Sequence, residues 1–107
     1  MQITLPDTFA ALGNPTRLAI VERLLRDGEV AAGDLADGEM SAPAMSHHFK
    51  VLREAGIVVQ RIDAQRRLYS VRPEAMRAIG QWSLTYQQFW DLSLDRLDRL
   101  IDKDREQ

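Results

Sequence analysis

The chain contains no cysteine, which excludes disulfides, thiolate metal sites, thiol redox sensing and cysteine nucleophiles in one step. Histidine is nearly as scarce. The only two, His47 and His48, are neighbours, so on a helix their side chains diverge by about 100° and do not serve one metal ion from one face. No run is long and apolar enough to span a bilayer, and the start Met1-Gln2-Ile3-Thr4-Leu5-Pro6-Asp7 has no basic segment leading into an apolar one. A cytoplasmic protein without membrane attachment is therefore expected. Nucleophile-elbow, phosphate-loop and metal-hydrolase motifs are also missing, so no catalytic residue, no cofactor and no enzymatic activity are expected.

What is present is an ordinary globular balance, 45% hydrophobic and 28% charged residues in a chain of 107, consistent with one domain over 1–107. A chain this short buries a modest fraction of its surface, so a helix that is apolar over a wide arc needs a second chain to cover it. The net charge of −2 hides an uneven distribution. Residues 41–72 carry Lys50, Arg53, Arg61, Arg66, Arg67 and Arg72 against Glu54 and Asp63, a local charge of +4, whereas residues 28–40 carry Glu29, Asp34, Asp37 and Glu39, a local charge of −4. Screening over roughly 8–10 Å makes the local value, not the total, decide docking to phosphates.

Phe9, Leu12, Leu18, Val21, Leu24 and Leu25 recur at spacings of three and four on either side of Gly13-Asn14-Pro15, which predicts two consecutive helices. Asn14 caps the second, Pro15 suits its first turn and Gly28 closes it. A short helix from Gly33 to Asp37 and a turn at Gly38-Glu39-Met40 follow. Ser41 then caps a helix over 42–54 that ends at Gly56. Two β-branched runs, Ile57–Ile62 and Leu68–Val71, flank the polar loop Asp63–Arg67 and predict a hairpin. From Pro73 to about Asp102 the pattern is helical again, and the tail Lys103–Gln107 is expected to fray. The result is a mainly α fold with a small β-hairpin, in the order helix, helix, helix, helix, hairpin, helix.

In 42–54, Met45, Phe49 and Leu52 share one face, which leaves Ala42, Pro43, Ser46, His47 and Lys50 pointing outward near the helix N-terminus. Small residues there let a backbone sink into a major groove, longer ones reach base edges or phosphates, and the helix dipole attracts phosphate. Taken alone, this is equally an ordinary amphipathic surface helix. A following hairpin tipped by Arg66-Arg67 completes the parts of a winged helix-turn-helix and shifts the reading to DNA.

Three stretches, Phe9-Ala10-Ala11-Leu12-Gly13-Asn14-Pro15-Thr16-Arg17-Leu18, Met45-Ser46-His47-His48-Phe49-Lys50-Val51-Leu52-Arg53-Glu54-Ala55-Gly56-Ile57-Val58 and Arg66-Arg67-Leu68-Tyr69, resemble in this order the signature stretches of the ArsR family. The resemblance covers about residues 8–72 and implies a dimeric DNA-binding repressor with 42–54 as recognition helix. It implies contacts from Ser46, His47 and Lys50, with Ser41, Ala42 and Pro43 at the helix start and Arg66, Arg67 and Tyr69 on the wing. His48 stands where the family has a recurrent histidine and either touches the DNA backbone or braces the helix, bracing being preferred; Arg17 reaches a phosphate or forms a surface salt bridge. Between Leu35 and Ser41 the chain is about one residue short of the family pattern and lacks its middle leucine, which implies a clipped first helix of the helix-turn-helix. The metal ligands of many relatives are missing. Asp91, Asp95, Asp98 and Asp102, interspersed with Arg96, Arg99 and Lys103, are read as a solvated, salt-bridged face rather than a cation stripe. A winged helix used for protein binding is the alternative.

Ile79, Tyr86, Trp90, Leu94, Leu97 and Ile101 form one stripe on the last helix, which Trp82, Phe89, Leu92 and Leu100 widen. An apolar arc this wide, on a helix on the order of 43 Å long, predicts a homodimer interface. Leu5, Phe9 and Leu12 of the first helix are expected to help seal it.

Overall fold

A computed structural model describes residues 2–36 and 38–105. Side-chain caps start three of the helices. Thr4 Oγ1 accepts the Asp7 N–H ahead of α1 (Leu5–Leu12), and Asn14 Oδ1 accepts the N–H groups of Thr16 and Arg17 ahead of α2 (Pro15–Asp27). Gly28 stops α2 at φ 81°, a conformation that L side chains resist. There the chain forms a two-residue strand β1 (Val30–Ala31), a four-residue helix α3 (Ala32–Leu35) and then α4 (Ala42–Glu54). Ser41 Oγ accepts the Ala44 N–H at the start of α4. Its end is a Schellman turn: Gly56, at φ 77°, donates to Arg53 O and Ile57 donates to Leu52 O.

β2 (Val58–Asp63) and β3 (Arg66–Val71) form the hairpin, and the sheet order is β1-β3-β2, antiparallel throughout. Several predicted boundaries change, the first strand of the hairpin starting at Val58 rather than Ile57. Val30–Ala31 is a strand, too short to show a period-two pattern, so the hairpin belongs to a three-stranded sheet. The expected loop Asp63–Arg67 contracts to Ala64–Gln65, because Asp63 pairs with Arg66; Arg66 and Arg67 therefore lie on strand rather than loop. The short helix expected over Gly33–Asp37 runs instead over Ala32–Leu35, with Asp37 outside the described residues. At four residues it is as short as the clipped 35–41 segment implies.

The core joins Ile20, Val21 and Leu24 of α2 to Leu35, to Met45, Phe49 and Leu52 of α4, and to Ile57, Val58 and Tyr69. Phe49 stacks on Tyr69 at 4.5 Å between ring centroids. Last comes α5 (Pro73–Arg105), 33 residues and so about 50 Å long, which stretches the molecule to 72 Å. Lys103, Asp104 and Arg105 continue this helix rather than fray, and Glu106 and Gln107 lie outside the described residues. Only its first turns touch the domain, Ala75 being fully buried.

Ala64, at the turn of the wing, has φ 57°, where two-residue hairpins favour Gly or Asn because a Cβ is crowded. Ala64→Gly is expected to raise the unfolding free energy by about 0.5–1 kcal/mol. A thermal melt checks this, and a lower melting temperature would contradict it.

Candidate nucleic-acid interface

α4 buries Met45, His48, Phe49 and Leu52 and leaves Ser41, Ala42, Pro43, Ser46, His47 and Lys50 exposed. The outward face is thus the one the sequence predicts, with Lys50 Nζ leaning 3.9 Å from Glu54 Oε1. Ser41 uses its oxygen as the cap, which leaves its hydroxyl hydrogen to donate outward. On the wing, Arg66 and Arg67 are exposed.

Two expected contacts are corrected. Tyr69 is 2% exposed, its ring stacked on Phe49 and its hydroxyl donating to Gln60 Oε1 at 3.0 Å; it is a core residue that anchors the wing to α4 and has no surface to offer DNA. Arg17 neither points to solvent nor forms a salt bridge. Its guanidinium donates to the carbonyls of Ala10 and Ala11 at the end of α1, and Nη1 lies 3.2 Å from His48 Nδ1 on the inner side of α4. A guanidinium only donates, so Nδ1 accepts and the His48 ring is neutral with its proton on Nε2. Burial first, then the charge of Arg17 and that of His47, hold its pKa below the usual imidazole value. His48 is a brace, and Arg17 locks three helices together.

Residues of the acidic segment also enter the wing, unanticipated from sequence. Glu29 accepts two hydrogen bonds from Arg61, Nη2 to Oε1 at 2.6 Å and Nε to Oε2 at 3.1 Å. The pairing lowers the Glu29 pKa and raises that of Arg61. Asp34 Oδ2 lies 3.9 Å from Arg66 Nη2. The signal was the −4 segment; what the sequence did not reveal was β1, which lays it beside β3.

Of the expected interface residues, Phe9 meets Trp82 edge to face at 5.3 Å, and Trp82, Tyr86 and Trp90 continue as a ladder of rings at 5.9 and 6.1 Å. Phe9, Trp82, Tyr86, Phe89, Trp90, Leu94, Leu97 and Ile101 are all exposed and Ile79 is half-buried. Leu12 differs: it is half-buried against the chain's own core, because α1 turns that side to α2 and α4. Among the described residues, no charge on the Asp91–Asp102 face lies within salt-bridge distance of an opposite one, so that face is solvated rather than salt-bridged. No group of three or more potential ligands there or elsewhere among the described residues could hold a metal ion.

Residues 12–61, from the end of α1 into the wing, match a family model described as a helix-turn-helix domain. The chain is 40% identical over 101 residues to the HTH-type transcriptional regulator Rv2034 of Mycobacterium tuberculosis, covering 92% of this chain and 91% of that one. It superposes on the crystal structure of an ArsR family transcriptional regulator with a TM-score of 0.72 at 28% identity, over 81% of this chain and 96% of the other. The chain belongs to the ArsR family of winged helix-turn-helix regulators. A further relative is the transcriptional repressor SdpR of Bacillus subtilis, 31% identical over 75% of this chain and 89% of its own. As an ArsR-family protein the chain is a DNA-binding transcriptional regulator and not an enzyme. Its α3 and α4 are the helix-turn-helix, and β2 and β3 are the wing. No helix among the described residues is long and apolar enough to cross a membrane.

Proposed function

We propose that this ArsR-family chain is a cytoplasmic repressor that binds an imperfect palindrome as a homodimer. One observation carries the reading of the DNA contacts: α4 buries four side chains and turns Ser41, Ala42, Pro43, Ser46, His47 and Lys50 outward at its capped N-terminus. In this reading Ser46 and His47 address base edges, Lys50 addresses edges or phosphates, and Arg66 and Arg67 on the wing take phosphates. The exposed apolar face of α5 supports the homodimer. Two recognition helices related by a two-fold axis would meet half-sites about 34–36 Å apart.

Selection of bound duplexes from a random pool tests this, with an imperfect palindrome as the expected product. Enrichment of nothing, together with tight binding to an acidic protein, would identify a protein-binding module instead. On the recovered site, Arg66→Ala and Arg67→Ala are expected to weaken binding to every sequence and flatten the salt dependence by about 0.9 log unit per lost phosphate contact. Ser46→Ala and His47→Ala should instead alter the preferred base pair, by about 1–3 kcal/mol. Wing variants that change specificity alone, or helix variants that change nothing, would reverse these roles.

A further inference from the structure

Strand β1 lays the most acidic stretch of the chain against the most basic one. Val30 and Ala31 pair with Tyr69 and Leu68, which brings Glu29 and Asp34, just outside the two ends of that strand, beside the wing. The two acids hold their arginines differently. Glu29 grips Arg61 through two hydrogen bonds, the shorter at 2.6 Å, and takes that guanidinium out of use. Asp34 stands 3.9 Å from Arg66 with both side chains about two-thirds exposed, at 65% and 64%. That separation is too long for a hydrogen bond, so Coulomb attraction in high dielectric is all that joins them. Beside this pair lies an open cleft of about 390 Å³, lined by residues 31–34 and 65–67. Among the described residues that line it, Asp34 is the only carboxylate, and Arg66 and Arg67 are the cations. A Cβ placed on Gly33 would meet nothing within 4 Å, so that side of the cleft is unobstructed.

We propose that this cleft seats one DNA phosphodiester and that Asp34 occupies Arg66 until the phosphate arrives. The proposal rests on the reading of Arg66 and Arg67 as phosphate contacts. A phosphodiester presents two anionic oxygens that match a guanidinium fork as a carboxylate does, and the cleft has room for it with bridging waters. On binding, Arg66 exchanges carboxylate for phosphate. Asp34 is left unpaired beside the incoming anion and takes up a cation from solution. Wild-type binding thus releases about one ion fewer than it would without the carboxylate, and Asp34 lowers the affinity of the wing for all DNA.

Asp34→Asn keeps the shape and removes the charge. The backbone carbonyl of Asp34, which accepts a hydrogen bond from Arg23 Nη1, is untouched by it. Binding of the full chain and the variant is measured by fluorescence anisotropy between about 50 and 200 mM salt, on a duplex recovered from the random pool and on an unrelated duplex of equal length. The variant is expected to bind both duplexes about three- to tenfold more tightly at the lower salt, with a salt slope steeper by as much as about 0.9. Arg66→Ala should abolish the gain in the double variant. An Asp34→Asn protein that melts like wild type yet binds equally or more weakly overturns the proposal, as does a gain that survives Arg66→Ala. A wild-type protein that binds neither duplex overturns the phosphate reading itself, and the seat with it.

Discussion

Replacing Trp90 and Leu97 together by aspartate is expected to give a monomer that loses specific DNA binding by about a hundredfold to ten-thousandfold, the range over which linking two binding modules raises avidity. The reason lies in the geometry of α5. From Trp82 onward its large apolar side chains are exposed, Trp90 at 46% and Leu97 at 52%, and a contiguous apolar surface of this extent is uncommon on a stable monomer. The ring ladder from Phe9 through Trp82 and Tyr86 to Trp90 makes the exposed face of α1 continuous with that of α5, so one partner surface can cover both. Each aspartate then places a charge where a packed ring or methyl group is needed. Wing variants leave the pairing of half-sites intact and lose only individual phosphate contacts, so their effect is smaller. Sedimentation together with binding to the selected duplex checks the expectation. A wild-type chain that is monomeric at micromolar concentration and binds a single half-site with full affinity would contradict it.

How far the sequence carried the reading depended on the range of the signals. α2 and α4 were legible because their caps, Asn14 and Ser41, and their glycine stops, Gly28 and Gly56, are local devices encoded within a few residues. The outward face of α4 followed from the spacing of Met45, Phe49 and Leu52 alone. Pairing across the chain was not legible. Val30–Ala31 becomes a strand only because Leu68 and Tyr69 lie beside it, and two residues carry no period of their own. The same pairing fixes the errors at the site. Tyr69 stands in a basic, wing-like stretch, yet strand alternation turns its ring onto Phe49. Glu29 and Asp34 entered the reading only as part of a stretch with a local charge of −4 and prove to be partners of Arg61 and Arg66. Arg17 misled for a related reason: its position in α2 gives no hint that α1 ends within reach and offers it two carbonyls.

Arg17→Ala is expected to lower the unfolding free energy by about 2–4 kcal/mol, since it removes a charged donor from three acceptors and leaves the buried His48 Nδ1 without its partner. For a chain of this size that corresponds to a fall in melting temperature of roughly 10–25 °C. Arg17→Lys, with one compact ammonium in place of a planar fork, should recover only part of the loss. The same contact sets a pH dependence. The folded-state pKa of His48 is depressed by burial and then by Arg17 and His47, so the unfolded chain takes up a proton near the ordinary imidazole value while the folded chain still refuses it. Stability contributed by the neutral ring is therefore complete above about pH 6.5, declines as pH falls below it, and stops declining once the depressed folded pKa has been passed. A protonated Nδ1 cannot accept from Arg17, so the brace under the recognition helix loosens, and DNA affinity falls with it, only as pH drops through the depressed folded pKa, below the window in which stability declines. His48→Gln removes this titrating group and should flatten the stability profile as pH falls below about 6.5 and remove the His48-dependent loss of DNA affinity at lower pH. Denaturation and DNA-binding curves across both ranges, with the His48 ring followed by NMR, decide the matter. A His48 that titrates at or above the ordinary imidazole value, or a wild-type stability that does not change on acidification, would show that Arg17 and His48 do not brace the helix in this way.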